Sequence, residues 1–542
     1  MTALTGLGSL IRLALRRDRI LLPVWIVGIV SLGHAVFASF SAIYVDEAGR
    51  VAGAQFSAAN PMTRVFDGPA SGTELGAMTM VEAFKVLAIL VALMSAQAVV
   101  RHTRQEEETG RAELIGSAVV GRHARLVAAL CVTLGANLVL GAGLVAALVA
   151  NDLALSGALA AGMAVAGVGW AFAGIAAVAA QVFSTARGAN AVAGAALGIA
   201  FVLRAVGDLL GEVEPSRVAV VSAWPSWVSP LGWGQQVRPF YQDNWWIGGL
   251  FGAFTLLAVA LAFWLNVRRD VGAGLVTARP GPARATRALQ SAFGLAWRLQ
   301  RTILLAWTVG LVVSGAAFGA VGDSLEEIVT ENEQFAQLLA QVSPGAAIVD
   351  LYFTFTMAFL GIAAGAYTVQ ALLRMRSEEA SGRLEPILAR AVDRRRWLVG
   401  HVLIAAFGTT LMLTLSGAAG GMIHGAITGR WAEGAGLAEA GLAQIPAALA
   451  LGGFVVAIFA FTPRWAGALA WAALAAGLVM SQLGELLELP QWLMDVSPFT
   501  HVPRVPAEDF SALPVLLLLG AALALGAVGF AAFRRRDLVI GA

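Results

Sequence analysis

The chain has 542 residues, of which 58% are hydrophobic and only 13% charged, with a mean hydropathy of +0.76. A soluble protein of this size still needs a charged surface, so the composition excludes a soluble globular enzyme and indicates a polytopic membrane protein. The net charge of +2 gives no support to nucleic-acid binding, and the single cysteine, Cys131, excludes a disulfide framework or a cysteine-based zinc site.

A helix needs about 20 apolar residues to cross the hydrocarbon layer. In chain order, twelve runs qualify: 20–44, 77–100, 126–150, 157–182, 191–209, 246–267, 302–321, 347–373, 397–423, 440–462, 465–487 and 512–533. They are apolar throughout instead of alternating, which excludes a porin-type barrel. The first run follows Arg16-Arg17-Asp18-Arg19 and is too long for the core of a cleaved signal, so it is expected to be a retained span. Ahead of it, Leu7, Leu10, Ile11, Ala14 and Leu15 oppose Arg12, Arg16 and Arg19 at helical spacing; ahead of the seventh run, Leu289, Ala292, Phe293 and Ala296 oppose Arg287, Arg298 and Arg301. Both stretches suit a helix lying in the inner leaflet.

Of the 36 basic residues, 28 fall in the N-terminal segment, the C-terminal tail and the even-numbered connections, six fall in the opposite loops, and Lys85 and Arg204 lie within spans. By the positive-inside rule both termini are expected to be cytoplasmic. The acidic loop from Asp323 to Glu333, which has no base, fits the outer side. The basic residues are almost all arginine and the chain is rich in Ala and Gly, which suggests a GC-rich bacterial genome and hence a bacterial plasma membrane.

The chain repeats itself. Arg104-Gln105-Glu106-Glu107-Glu108-Thr109-Gly110-Arg111-Ala112-Glu113 returns as Arg376-Ser377-Glu378-Glu379-Ala380-Ser381-Gly382-Arg383-Leu384-Glu385. Trp25-Ile26-Val27-Gly28 returns as Trp307-Thr308-Val309-Gly310, Gly207-Asp208-Leu209-Leu210 as Gly484-Glu485-Leu486-Leu487, and Val228-Ser229-Pro230 as Val496-Ser497-Pro498. Arg268-Arg269-Asp270 returns as Arg535-Arg536-Asp537. The order is kept, so two six-helix halves of the same orientation are expected, a parallel repeat: residues 1–275, which begin with the interfacial helix, and residues 291–542, joined by a cytoplasmic linker at 276–290 containing Pro280-Gly281-Pro282.

The duplicated polar motif is an acidic cluster followed by Gly, Arg and Glu. Its glycines suit a helix end or a close backbone approach. Exposed local ion pairs are worth only about 0–1 kcal/mol, so stability alone is a poor reason to write the pattern twice. A docking role is one explanation, and a solvated loop helix is the other. Within the spans, ionisable groups cost about 2.5–3.5 kcal/mol each on insertion scales. Glu82 and Lys85 are three apart and suited to neutralise each other; Arg204 and Asp208 are four apart; Asp350 stands near the outer end of the eighth run. Asp208 has Glu485 as its repeat partner and is a candidate for the outer gate. Trp224, Trp227, Trp233, Trp245 and Trp246 are first explained as an interfacial aromatic belt, and second as an apolar cargo surface. The six histidines show no metal-ligand spacing, and no metal or catalytic centre is expected.

Glu106-x-x-x-Gly110-Arg111-x-Glu113-Leu114-Ile115 and Glu378-x-x-x-Gly382-Arg383-x-Glu385-Pro386-Ile387, each between the second and third helices of a six-helix unit, resemble the cytoplasmic signature of ABC-2-type ABC transporter permeases. The family commonly has Thr after the Gly, and Arg111 and Arg383 depart from it. The Arg form in two fused halves resembles the tetronasin or polyketide-antibiotic exporter type. The Ser229-Pro230 and Ser497-Pro498 elements are also similar to the family's short re-entrant helices at the outer mouth. This resemblance implies an all-α fold of twelve transmembrane helices in two ABC-2 (type V exporter-like) halves. It implies that Glu106, Glu107, Gly110, Arg111, Glu113, Glu378, Glu379, Gly382, Arg383 and Glu385 form coupling elements that dock on two copies of a separate ABC ATPase. It places Asp208, Ser229, Pro230, Glu485, Ser497 and Pro498 at the outer gate, with membrane lipid and a hydrophobic small molecule as further partners.

The chain has no Gly-x-x-x-x-Gly-Lys-(Ser/Thr) loop, and its only lysine is Lys85, so ATP and Mg are expected in the partner subunits and none on this chain. The leading expectation is a permease for export of apolar or amphiphilic compounds. The alternatives are a major-facilitator-type secondary transporter, which shares the helix count and a Gly-Arg motif, and a non-transporting membrane scaffold.

Overall fold

The computed structural model describes residues 3–44, 46–276, 283–331, 348–390, 392–482, 484 and 489–539. The chain divides into two compact units, Met1–Pro280 and Gly281–Ala542. Apart from one two-residue β-hairpin, every regular element is helical, and eleven helices among the described residues are long and apolar enough to cross a membrane. The protein is an all-α polytopic membrane protein.

In the first unit the long helices are α2 (Leu21–Ile43), α5 (Leu75–His102), α8 (Ala124–Val149), α9 (Leu155–Val182), α10 (Ala186–Leu209) and α13 (Trp246–Val267). Amphipathic α1 (Leu7–Arg17) precedes them, and short α6 (Arg104–Glu108) and α7 (Arg111–Gly116) join α5 to α8. The opposite end carries α3 (Glu47–Ala59), α4 (Pro61–Phe66), the hairpin β1 (Glu212–Val213) with β2 (Val220–Val221), α11 (Trp224–Trp227) and α12 (Pro230–Gln236). The most buried element is α9, which packs on α5, α8, α10 and α13. Its sequence is largely Ala and Gly, so four neighbours can approach one backbone closely, and van der Waals contact replaces the hydrophobic drive that lipid cannot supply.

In the second unit the long helices are α14 (Ala292–Glu331), α15 (Ile348–Ala380), α17 (Arg394–Thr428), α18 (Trp431–Ala443) continuing into α19 (Ile445–Phe461), α20 (Ala466–Gln482) and α22 (Ala512–Arg535). Short α16 (Leu384–Leu388) and α21 (Gln491–Met494) and a 3₁₀ turn at Pro498–His501 complete it. Pro446, lacking an N–H, lies at the α18–α19 junction. The expected run at 465–487 is found as α20, whose 17 residues are one turn or so short of a full span.

The two amphipathic stretches fold differently. The first is the separate helix α1, which stops at Asp18; in the second, Arg287–Gln290 form a 3₁₀ turn, a bend follows at Ser291, and from Ala292 the chain runs unbroken through α14, a helix of 40 residues. The expectation of two matching interfacial helices therefore fails in the second unit. Asp18, three per cent exposed, is drawn to the end of α5, where it accepts from Arg101 Nη2 at 2.8 Å and lies 2.7 Å from His102 Nε2. At the corresponding place stands Gln300, a neutral side chain bonded to His401 Nδ1 at 2.8 Å without leaving the helix.

The crossing of α14 and α17 is the most extensive in the second unit. Gly315 and Gly319 lie one turn apart on α14, and a Cβ on either would collide with the carbonyl oxygen of Ser416 or Gly420 on α17. Gly319→Leu is therefore expected to lower stability by about 3 kcal/mol, since overpacking costs about 1–3 and backbone cannot give way as a side chain can. Gly310→Leu, where an added Cβ meets nothing, is expected to stay within about 0.5 kcal/mol of wild type. Thermal unfolding of the purified variants in detergent, followed by tryptophan fluorescence, checks both.

Candidate functional site

The duplicated motif folds as an elbow in each unit. In the first, α5 ends at His102, α6 carries Arg104 to Glu108, and Gly110 turns the chain at φ 73° into α7. In the second, α15 runs through Ala380 and Gly382 turns the chain at φ 70° ahead of α16. This left-handed conformation costs an L-residue roughly 1–2 kcal/mol, and glycine removes that cost.

The second glutamate of each motif is buried in an ion pair with an arginine far along the chain. Glu107 receives two hydrogen bonds from Arg269, Nη1 to Oε2 and Nη2 to Oε1, both at 2.8 Å. Arg104 Nη1 lies 2.8 Å from Glu107 Oε2, and both guanidinium groups are anchored in turn. Arg104 donates to the Ala180 and Ala273 carbonyls, and Arg269 to Gln181 Oε1 at 2.7 Å. In the second unit, Arg536 donates to both carboxylate oxygens of Glu379, at 2.5 and 2.8 Å. The Val539 N–H adds a bond to Glu379 Oε1 at 2.9 Å, and Arg376 donates to the Val539 carbonyl. The Arg536 guanidinium also lies 5.0 Å from the ring centroids of both Phe459 and Phe533. Each pair thus ties the elbow to the C-terminal end of its unit's last long helix, α13 in the first and α22 in the second.

The first glutamates are buried too, with different partners. Glu106 pairs with Arg17 at the end of α1 at 2.5 Å, with Arg111 at 3.8 Å. Glu378 accepts from Trp397 Nε1 at 3.3 Å and Arg374 Nε at 3.4 Å, and His401 Nε2 is 3.7 Å away. The structure therefore turns four of the six predicted acids, Glu106, Glu107, Glu378 and Glu379, inward. What remains exposed is Arg111, Glu113 and Leu114 at the first elbow, and Arg383, Glu385 and Pro386 at the second. Leu114, three-quarters exposed, is a large apolar side chain with no intramolecular cover.

At the opposite end of the first unit, Arg204 and Asp208 are almost fully buried and 3.5 Å apart. Their bonds reach well beyond the local pair. Asp208 Oδ1 accepts from Ser222 Oγ at 2.7 Å and Ser226 Oγ at 3.2 Å, and Arg204 Nη2 donates to the Val65 carbonyl at 2.7 Å. Ser229 caps α12 and donates Oγ to the Ala200 carbonyl at 2.7 Å, with Pro230 in the first turn. Ser497 caps the 3₁₀ turn that begins at Pro498. Glu485 lies outside the described residues. Lys85 pairs with Glu82 at 3.2 Å and also with Asp67, an acid from the preceding loop that the sequence did not single out. Asp350 sits half-buried in the first turn of α15. Of the tryptophans, Trp224, Trp245 and Trp246 are exposed, Trp227 and Trp246 stack at 5.6 Å, and Trp233 is buried with Nε1 bonded to the Trp227 carbonyl. Among the described residues no three His, Cys, Asp or Glu side chains converge as a metal site would require.

The residues missed from sequence are Arg269, Arg536, Arg17, Asp67 and Ser222. The first two had a signal, because Arg-Arg-Asp recurs at the end of the last span of each half. A second charged repeat at a fixed place in an apolar chain is the natural partner of the first.

A family described as "Multidrug efflux system permease Rv1217c, C-terminal domain" matches residues 7–265 and 289–534. The chain is 39% identical over 539 residues to the multidrug efflux system permease protein Rv1217c of Mycobacterium tuberculosis (strain ATCC 25618 / H37Rv), spanning 98% of this chain and 95% of that protein.

Removing one member of a buried ion pair strands the other, at a cost of about 3–5 kcal/mol. Glu379→Ala and Glu107→Ala are each expected to fall in that range, whereas the double variant Glu379→Leu with Arg536→Met recovers at least half of the loss. Thermal unfolding of the purified variants measures both; a single-variant cost under about 1 kcal/mol would mean that the elbow does not depend on the pair.

Proposed function

The chain belongs to the Rv1217c-type multidrug efflux permease family, and from that premise we propose that it is the transmembrane subunit of an ATP-driven ABC exporter of the ABC-2 type. Its two units serve as parallel six-helix halves, with α20 as the eleventh of twelve spans. Both termini and both elbows face the cytoplasm of a bacterial plasma membrane. Two copies of a separate ATPase, holding ATP and Mg, dock on the elbows, and the cargo is an apolar or amphiphilic small molecule such as a drug, an antibiotic or a lipid.

The observation that supports this best is the construction of the elbows. In each unit a buried bidentate Glu–Arg pair locks the elbow to the end of the sixth span, while an Arg, a Glu and one apolar or imino side chain stay exposed beyond the Gly turn. A loop needed only to keep charges out of the bilayer has no use for a rigid base. A lever pushed by a partner needs that base and an exposed tip. The inner acids set the posture of the tip, and Arg111, Glu113, Leu114, Arg383, Glu385 and Pro386 supply its contact surface.

The test is co-purification with an ABC ATPase from the same genome. The charge reversals Glu113→Arg at the first elbow and Arg383→Glu/Glu385→Arg at the second alter exposed side chains that the elbows' buried ion pairs do not use, so unfolding temperature is expected to hold. Each reversal is expected to cut cargo-stimulated ATP hydrolysis by about tenfold, the effect of losing one charge-assisted contact of about 1.4 kcal/mol. Undiminished ATPase binding and stimulation in the combined variant would rule out docking at the elbows.

A further inference from the structure

The first unit contains a cavity of about 290 Å³ between α5, α9 and α10, close to the elbow. It is lined by Gln97, Arg101 and Gln105 from the last turns of α5 and its extension, by Asn190 from the first turns of α10, and deeper by Phe172 and Leu197. Gln97 and Asn190 belong to two of the span-class helices. Both are exposed, and their carboxamides bond to no described residue. An unpartnered amide facing hydrocarbon costs several kcal/mol, so this face is not built to meet lipid tails.

The charge on the cavity wall has one sign. Arg101 is the only charged residue among its lining, and no carboxylate lines it. Asp18 engages Arg101 through Nη2, while the buried Arg101 Nε has no acceptor. Polarity is also graded along the helix. Arg101 and Gln105 stand at the elbow end, Gln97 one turn deeper, and Leu93 a further turn in, about 12 Å from Arg101 at 1.5 Å per residue. That is the arrangement of an amphiphile: an anionic or acceptor-rich head at one end and an aliphatic chain at the other.

From this geometry we infer that the cavity is a binding site for the anionic head group of an amphiphile, with Arg101, Gln97 and Asn190 donating to the head and the chain running past Leu93 and Leu197. The second unit has no such site in its sequence. At the repeat offset of 272, Gln97 and Arg101 correspond to Val369 and Leu373, and Asn190 corresponds to Gly467 in the register that matches Arg187 with Arg464. The two units therefore offer different surfaces to a cargo, and the acidic amphiphiles enter by the first. The inference rests on the efflux proposal only for the ligand being a cargo; head-group binding itself needs no ATPase.

The experiment uses the full chain in phosphatidylcholine nanodiscs, with stearate spin-labelled near its methyl end and the methyl ester of the same molecule as probes. Wild type is expected to immobilise the acid about tenfold more tightly than the ester, the worth of a charge-assisted head-group contact. Gln97→Glu/Asn190→Asp is expected to bring the acid down to the ester's level. Gln97→Leu/Asn190→Leu, which adds no charge and places no polar group in lipid, is expected to do the same with unchanged unfolding temperature. Competition by phosphatidylglycerol assigns the head group to a membrane lipid, and its absence assigns it to a cargo; either result supports an anionic site. Equal immobilisation of acid and ester by wild type, or an acid preference that both double variants keep, overturns it. Since no ATPase is present, either failure is separate from failure of docking at the elbows.

Discussion

The buried Glu–Arg pair at each elbow is the interaction on which the rest of the arrangement depends. A carboxylate and a guanidinium at this depth are stable only if the geometry is bidentate and the remaining donors are satisfied. Both pairs are bidentate, and most of the remaining donors are satisfied, Arg536 Nε being the exception. Arg269 gives two bonds to Glu107 and a third to Gln181, while Arg104 joins the Ala180 carbonyl at the end of α9 to Ala273 beyond α13. Arg536 likewise reaches both oxygens of Glu379 and the Phe459 carbonyl at the end of α19. Three chain segments distant in sequence meet at one charge pair. The elbow cannot tilt without carrying the ends of α9 and α13, or of α19 and α22, with it. A lysine in place of either arginine would lose the fork that makes this possible.

The first glutamates show how two copies of one device diverge. Glu106 is held by Arg17, so the first elbow is coupled to the amphipathic helix α1. Glu378 is held by Trp397 and flanked by His401, so the second elbow is coupled to α17. The exchange follows from one position. Asp18, a carboxylate needing cationic partners, stops α1 and leaves Arg17 beside Glu106; Gln300 needs only His401, and α14 continues unbroken. Identical partners acting on the two elbows would load different helices.

Much of this was legible because charge is expensive in a chain this apolar. Spans announce themselves as apolar runs, and the few charged clusters that remain stand out as repeats, so the elbows and the Arg-Arg-Asp ends were both visible. Their union was not. Glu107 and Arg269 are separated by more than half a unit of sequence, and no periodicity links a five-residue helix such as α6 to a residue beyond α13. Burial of the glutamates was hidden for the same reason, since an acidic cluster in a loop reads as solvated until its partner is known. Arg204 and Asp208 were correctly paired by their i, i+4 spacing, but Ser222, Ser226 and the Val65 carbonyl come from a loop and from the short helices α11 and α4, whose placement no span-length pattern encodes. The continuity of α14 was missed because its cause, Gln300 settling on His401 where Asp18 is drawn to the end of α5, is tertiary.

The two ends of the first unit satisfy their charges by opposite means. At the elbow end, ion pairs fasten one helix terminus to another and leave a polar, partly open surface beyond them. At the other end, Arg204 satisfies carbonyls of the last turn of α4, Arg64 reaches the Ala58 and Gly211 carbonyls, and Arg238 holds Glu214 and the Val220 carbonyl. There the arginines fasten loops to each other, giving a knit cap in which Asp208 and Ser229 are interior supports. A permease built this way is stiff at the far cap and stiff at each elbow's base, so the compliance must lie between them, where α9 meets its neighbours through Ala and Gly. Most of these contacts are van der Waals and can shift without breaking a hydrogen bond, the bond from Trp170 Nε1 to the Leu134 carbonyl of α8 being an exception. If a partner pushes an elbow as proposed, that work would reach the apolar middle of the unit as motion of whole helices.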